Sequence, residues 1–418
     1  MLISKALNIG SGSTWPGHIA LNINANFIVN ILNKNKNLKV ILIAGTNGKT
    51  TTSKLIKTIL EQNGKKVFHN EAGANLLNGI ASSLIKNSDL IGEIKFDYAI
   101  FEVDENSLPL LLNSLKPKAL VLLNLFRDQL DRYGEVNLVA DKWRNSLGEI
   151  DAKTSLILNA DDPKIAYFGQ GIKNTVKYFG ARGNKLQNHD HASDSTYCPK
   201  CGSKLKYESV TFSHLGDWSC DNCRLKRPKP DLESYASYPL PGLYNKYNVH
   251  AAVLAARSLG VLNEKINKAI KEFKPAFGRQ EVVKFNNKNI QIFLSKNPAS
   301  FNQSLETITE LKARNVLLVL NDRIPDGRDV SWIWDVDFED YLKGFKSVSI
   351  SGDRAYDMAL RIQYAIQNYN SKVKIYENLK TAVDKSAENL SNNETLHILP
   401  TYSAMLGLRK ILTGKSIL

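Results

Sequence analysis

The stretch from Val40 to Thr52 narrows the possible folds more than any other part of the chain. An apolar run, Val40 to Ala44, leads into Gly45-Thr46-Asn47-Gly48-Lys49-Thr50-Thr51-Thr52, and helical spacing then continues to Gln62 with Gly64 as a stop. The run reads as a buried strand and the residues from Thr50 as a helix. A glycine loop between them turns successive backbone N–H groups and the helix N-terminus onto one point, which is an anion site suited to polyphosphate. Lys49 is spaced to reach the outer phosphates and the Thr50 hydroxyl to ligate a metal. The loop is shorter than the common G-x-x-x-x-G-K-[ST] form, because the residue six before Lys49 is Ile43. A glycine turn with an incidental lysine is the plainer alternative, and it leaves the flanking strand and helix unexplained.

Beyond Leu38 short apolar strands alternate with amphipathic helices, the pattern of a parallel sheet covered by helices, so the fold class is α/β. Tyr98–Val103, Ala119–Leu123 and Ser155–Asn159 read as further strands with polar residues at their carboxyl ends, where open α/β sheets bind ligands. A polar stretch from Gly183 to Ser195 and a cysteine module ending near Pro230 interrupt this pattern as an insertion. Helical spacing resumes at Tyr244–Leu259 and Glu264–Phe273, and Lys274, Pro275 and Gly278 mark a junction. A second α/β set follows, with strands near Ile290–Leu294, Val316–Leu320, Ser347–Ile350, Val373–Tyr376 and Leu396–Leu399. The expected organisation is an N-terminal segment over 1–37 packed on a central domain over 38–275, with the insertion at about 195–230, and a C-terminal domain over 276–418.

A chain of 418 residues, 43% hydrophobic and carrying 15 Phe and 16 Tyr, has enough apolar surface for several cores and is not a disordered chain. The longest apolar runs fall far short of the roughly 20 residues of a membrane-spanning helix, and no secretory signal is legible, so a cytoplasmic protein is expected. The net charge of +14 suits an anionic partner, among whose kinds composition does not choose, but charges spread along the whole chain read first as a lysine-biased solvated surface.

Glu102 ends the strand Tyr98–Val103, where a carboxylate can hold magnesium; Asp104 is a nearby alternative. The next strand end opens into Asn124-Leu125-Phe126-Arg127-Asp128-Gln129-Leu130-Asp131, a loop dense in metal and phosphate ligands. Two C-x-x-C pairs, Cys198–Cys201 and Cys220–Cys223, lie 18 residues apart and use all 4 cysteines, the ribbon spacing that gathers four thiolates around one structural zinc. Two disulfides are the alternative, disfavoured in a reducing compartment.

Taken together, the short G-T-N-G-K-T-T loop, Glu102, the N-x-x-x-D-x-x-D loop at Asn124 to Asp131, Leu158-Asn159-Ala160-Asp161-Asp162-Pro163, and Gly242-Leu243-Tyr244-Asn245-Lys246-Tyr247-Asn248 occur in the order seen in Mur ligases and folylpolyglutamate synthases, and the chain resembles that superfamily. The resemblance implies a central P-loop ATPase domain, a Rossmann-like C-terminal domain, and formation of an acyl phosphate before attack by an amine. It places ATP on Gly45, Thr46, Asn47, Gly48, Lys49, Thr50, Thr51, Asn245, Asn248 and Arg279, magnesium on Thr50 and Glu102, and catalytic roles on Glu102 and Lys49. On their own, Asn245 and Asn248 read first as helix-start and packing residues, and only the resemblance places them at the nucleotide.

Departures select a branch. About 37 residues precede the P-loop strand, too few for a UDP-binding domain. Gln129 stands where amino-acid-adding ligases carry histidine, Lys296-Asn297-Pro298 replaces their aspartate, tyrosine and histidine pattern, and the cysteine insertion is extra. With Asp326-Gly327-Arg328-Asp329-Val330-Ser331-Trp332-Ile333-Trp334-Asp335 and the early Gly12-Ser13-Thr14-Trp15-Pro16-Gly17, the chain resembles the MurT-type subunits of lipid II isoglutaminyl synthases. That branch implies amidation of the D-glutamate α-carboxyl of lipid II at the inner membrane surface, with ammonia from a GatD-type glutaminase in a heterodimer and no nucleic-acid partner. It also implies an aspartate completing the glutaminase's cysteine–histidine site, which we assign to Asp335 with Asp326, Asp329 and Asp337 as rivals. Two other readings stay open on sequence: an amino-acid or polyglutamate ligase of the same superfamily, and a P-loop nucleotide switch binding nucleic acid through its zinc ribbon.

Overall fold

The computed structural model describes residues 14–70, 74–127, 136–181, 194–366, 369–391 and 394–414. Strands β1 (Lys39–Ala44), β2 (Val67–His69), β3 (Tyr98–Val103), β4 (Ala119–Leu122), β5 (Ser155–Asn159) and β6 (Val176–Phe179) form one parallel sheet in the order β2-β3-β1-β4-β5-β6. Its central strands are apolar on both faces because helices cover both. Within β1 the side chains alternate: Ile41 and Ile43 enter the core shared with the helices Lys49–Gln62 and Leu243–Ser258, while Val40, Leu42 and Ala44 enter the opposite core with Phe101 and Trp143. From β1 the chain runs to β2 and β3 on one side and then crosses to β4 on the other. That reversal of strand order opens a crevice at the carboxyl end of β1, where the glycine loop sits.

The N-terminal helices Trp15–Ile23 and Phe27–Lys34 pack on the helix Leu77–Asn87, the first so closely that a Cβ on Gly17 would lie 1.9 Å from the Asn78 carbonyl. Inside the insertion, β7 (Lys206–Phe212) and β8 (Leu215–Ser219) make an antiparallel hairpin. A second sheet joins β9 (Arg279–Phe285), β10 (Lys288–Phe293), β11 (Asn315–Val319), β12 (Ser347–Ser351), β13 (Val373–Ile375) and β14 (Thr395–Pro400) in the order β13-β12-β11-β14-β10-β9, parallel except for β9 against β10. The α/β class and the second α/β sheet agree with the sequence reading. The short strands β2 and β6, the β7–β8 hairpin and β9 were not read from it. Among the described residues no helix is long and apolar enough to cross a membrane.

Candidate active site

Gly45 and Gly48 adopt φ of +139° and +91°, and both positions are closed to a side chain. A Cβ on Gly45 would lie 2.9 Å from the Leu123 side chain, and one on Gly48 only 2.3 Å from the Asn248 amide oxygen. The loop is therefore wedged between the end of β4 and the helix Leu243–Ser258. Asn124 clamps it: its Oδ1 accepts from the Asn47 N–H at 2.8 Å, its Nδ2 donates to the Asn47 carbonyl at 3.1 Å, and its own carbonyl accepts from the Thr46 N–H at 3.0 Å. Thr46 Oγ1 and the Phe126 backbone add a further pair of bonds. Lys49 Nζ lies over the loop, donating to the Gly45 carbonyl at 2.5 Å and pairing with Glu105 at 3.4 Å.

Glu102, at the end of β3, faces the first turn of the P-loop helix. Thr50 Oγ1 donates to its Oε2 and Ser53 Oγ to its Oε1, each at 2.9 Å. Asn70 holds its backbone from β2, accepting from the Glu102 N–H at 2.8 Å and donating to its carbonyl at 2.9 Å. Burial pushes the Glu102 carboxyl above the ordinary glutamate range; the two hydroxyls, Arg279 and Lys49 offset part of that shift. Asp104, the alternative on sequence, is spent on the turn, accepting from the Asn106 N–H at 3.1 Å. Glu105, Ser53 and Asn70 were missed by sequence reasoning. Ser53 had a usable signal, since it lies one helical turn beyond Thr50 on the same face.

From the second sheet Arg279 reaches Thr50 Oγ1 at 3.4 Å, and Asn297, the N-cap of the helix Pro298–Glu310, exchanges amide contacts of 3.3 and 3.4 Å with Asn47. Asn248 Oδ1 accepts from Thr52 Oγ1 at 3.3 Å and its Nδ2 donates to Asn245, which is tied to the Pro241 carbonyl. A cleft of about 860 Å³, open mouth included, runs from Asn47, Gly48 and Thr51 past Asn245, Asn248 and Arg279. Phe212 and Leu215 from the insertion hairpin form part of its wall. All the proposed nucleotide ligands are thus gathered at one crevice. Asp128, Gln129 and Asp131 lie outside the described residues.

The four cysteine sulfurs lie within 4.8 Å of one another, with Cys198 to Cys223 at 3.6 Å and Cys201 to Cys220 at 3.5 Å, so the cluster can hold a metal. Isolated bridges, Tyr197 to Lys204 and Ser219 to Lys226, frame it. The insertion is tied to the carboxyl end of β5. Fully buried Asp161 accepts from Arg227 Nε at 2.7 Å, Tyr247 Oη at 2.6 Å and the Ala181 N–H at 2.8 Å, while Arg227 also pairs with Glu233 at 2.7 Å. Trp218 Nε1 donates to the Ala160 carbonyl at 3.0 Å. Asp162, the N-cap of the helix Pro163–Phe168, meets His214 Nε2 at 3.3 Å and accepts from the Leu125 N–H at 2.9 Å. Burial works against the Asp162 charge, yet His214, Leu125 and Lys164 together hold the carboxyl below the usual range.

The four rival aspartates have different surroundings. Asp326 is buried and accepts from the Ser403 N–H at 2.8 Å, and Asp337 is bonded to Asn302 through both its backbone and side chain. Asp329 accepts from the Ser331 N–H at 2.8 Å. Asp335, ending the 3-10 turn Ser331–Asp335, is 40% exposed and lies 3.5 Å from Arg127, which also pairs with Asp194.

Family models match the chain as a Mur ligase middle domain over residues 43–256 and as a MurT ligase C-terminal region over 294–405. The chain is 31% identical over 435 aligned positions to the lipid II isoglutaminyl synthase (glutamine-hydrolyzing) subunit MurT of Streptococcus pneumoniae, covering 98% of this chain and 94% of that one. To the subunit of the same name in Staphylococcus aureus it is 32% identical over 373 positions, covering 85% and 83%. Among solved structures, a pseudomurein peptide ligase type C from Methanothermus fervidus superposes with a TM-score of 0.67 at 22% identity, covering 93% of this chain and 81% of that one. A folylpolyglutamate synthase from Mycobacterium tuberculosis does so with 0.63 at 13%, covering 100% and 99%. At those identities the superpositions establish the shared fold.

Proposed function

The chain belongs to the MurT branch of the Mur ligase family, a family of ATP-dependent ligases, and from that premise we infer that it is the ligase subunit of a lipid II isoglutaminyl synthase. It converts the α-carboxyl of D-glutamate in the lipid II stem peptide to a carboxamide, giving D-isoglutamine. The observation that supports this most is the convergence of the phosphate loop, Glu102 and Arg279 on one cleft, in a chain similar to the S. pneumoniae subunit over 98% of its length.

A carboxylate at neutral pH is a poor electrophile, so the reaction needs a leaving group on carbon. The substrate oxygen bonds to the γ-phosphorus of ATP as the bond to ADP breaks, and the resulting acyl phosphate is attacked by ammonia. The nitrogen loses a proton and phosphate departs. Charge on the transferring phosphoryl group is stabilised electrostatically, by the loop N–H groups, Lys49 and Arg279. The Thr50 hydroxyl and Glu102 carboxylate, 2.9 Å apart, are hard oxygen donors of the kind that hold Mg²⁺, which would neutralise phosphate charge. Four thiolates favour zinc: a tetrahedron with Zn–S of about 2.3 Å has sulfur–sulfur edges of about 3.8 Å, close to the spacings here. A closed set of four ligands leaves that zinc structural.

The ammonia comes from a glutaminase partner, a GatD-type subunit, docking beside Asp335. Trp334, 49% exposed, packs against Tyr364, and Tyr356, Leu360 and Tyr364 follow one another at four-residue spacing along the helix Ala355–Ala365, all exposed. An exposed apolar face next to a half-buried aspartate suits a protein partner. Asp335 would orient the partner's catalytic histidine and stabilise its cation.

Mass spectrometry of lipid II after incubation with the chain, ATP, Mg²⁺ and ammonium, and in parallel with glutamine and the partner, tests the reading. The expected product carries a carboxamide in place of the glutamate α-carboxyl. Unchanged lipid II in both reactions, with an active partner confirmed, would refute it.

A further inference from the structure

Two amides in the cleft wall are left over by the phosphate chemistry. Gln280 follows Arg279 in β9, Gln303 lies on the helix Pro298–Glu310, and they are 4% and 5% exposed. Gln280 Nε2 donates to the Pro241 carbonyl at 3.1 Å and to the Tyr244 hydroxyl, and Gln303 Nε2 donates to the Glu306 carboxylate at 2.9 Å. A carbonyl and a carboxylate only accept, so these contacts fix which end of each amide is the NH₂. The two Oε1 atoms are left, and neither has a hydrogen-bond partner among the described residues. A buried acceptor without a donor is costly, and native proteins keep few of them. Gln280 also holds φ of +68°, a left-handed conformation that a non-glycine residue keeps only where its surroundings impose it. Strain, burial and an unused acceptor therefore coincide at a residue lining the cleft.

We propose that Gln280 and Gln303 read the nucleobase, presenting two acceptors to a ring edge that carries an exocyclic amine and so selecting adenine. The phosphate loop occupies one end of the cleft, and the apolar side chains of Phe212, Leu215 and Phe293 line it elsewhere, as the faces of a flat ring require. An amine offers two N–H donors, one for each oxygen; both oxygens are covered in this structure, so the two side chains turn toward the ring edge as the base enters. A ring with an oxo group at that position sets acceptor against acceptor, a mismatch that polar sites reject strongly. The inference rests on the proposed nucleotide role of the cleft.

Calorimetric titration of the full chain with ATP, purine riboside triphosphate, which lacks only the amine, and inosine triphosphate, which replaces it with an oxo group, tests the proposal. The unaltered protein should bind ATP at least about tenfold more tightly than either analogue. In Gln303→Met, a change of similar volume on a regular helix, the ratio of purine riboside triphosphate to ATP affinity should move to within about twofold of unity, and Gln280→Met should shift it the same way. A fold defect weakens all three ligands together, so the ratio reports the amine alone. Absence of discrimination in the unaltered protein, or a ratio unchanged in both variants, overturns the base-reading role while leaving ATP binding intact. If none of the three triphosphates binds, the nucleotide role of the cleft itself fails.

Discussion

Replacing Glu102 with glutamine separates a functional carboxylate from a structural one, because the two roles demand opposite changes in stability. Glu102 is 3% exposed, and its pKa is raised chiefly by burial, so the fold holds a charge that it would rather neutralise. Glutamine keeps the volume and both hydroxyl contacts, with Thr50 or Ser53 turning to accept from the new NH₂. Stability at neutral pH should therefore hold or rise. Turnover should fall about 10²- to 10³-fold, the ~3–4 kcal/mol typical of losing one preorganised charge-stabilising group. The pH dependence follows in sign. Metal binding needs the carboxylate, and a folded-state pKa above the ordinary value means that activity is lost on acidification at a higher pH than for an ordinary glutamate. The metal-free protein conversely gains stability as pH falls through that folded pKa toward the unfolded value, since its folded form takes up the proton first. The glutamine variant should show neither limb. ADP release across pH 5–8, paired with thermal melting of the metal-free protein, measures both. A variant that melts well below the parent while keeping activity within threefold would refute the assignment.

Arg227→Met should cost about 3–5 kcal/mol, because it strands the fully buried Asp161 carboxylate, and adding Asp161→Asn should recover much of it in urea unfolding followed by circular dichroism. Elemental analysis should find one zinc per chain, and stripping it with a chelator should weaken ATP binding as well as stability, because Phe212 and Leu215 of the hairpin line the cleft. Asp335→Asn should lower glutamine-dependent amidation in the complex by about 10²-fold or more while leaving ammonium-dependent amidation within about twofold, measured by carboxamide formation. Lys49→Met should weaken ATP binding about tenfold or more by calorimetry without moving the ratio between ATP and purine riboside triphosphate affinities.

What could be read from the sequence was whatever local pattern dictates. The P-loop was legible because a strand, two glycines and a helix start are consecutive, and the four-cysteine cluster because cysteine spacing is itself the signal. The strands β1, β3 and β11 announced themselves as apolar runs, whereas β2 and β6 place no more than two apolar residues in succession. Glu105 gave no warning: nothing local distinguishes it from Asp104, and only the packing of β3 beside β1 sets it against Lys49. The rivalry among Asp326, Asp329, Asp335 and Asp337 could not be ranked for the same reason, since it depends on which of them the fold has already bonded elsewhere.

The contacts that complete the cleft are of that nonlocal kind, and most cross from one sheet to the other. Asn47 and Asn297 are 250 residues apart in sequence and Arg279 is 229 from Thr50, yet these contacts of 3.3–3.4 Å are longer than a well-made hydrogen bond. They are also few: Gln280 to the Pro241 carbonyl at 3.1 Å and Arg127 to Asp335 at 3.5 Å are among the other polar ties. Long, sparse polar contacts stabilise one arrangement of two domains only weakly, so a ligand that bonds to both sides contributes much of the closure energy itself. A triphosphate held by the loop and by Arg279 is such a ligand. Arg127 joins the strand-end loop of the first sheet to Asp335, on the surface proposed for the glutaminase. A partner that engages Asp335 acts on the carboxylate that Arg127 also pairs with, so partner docking and closure of the cleft meet at one ion pair.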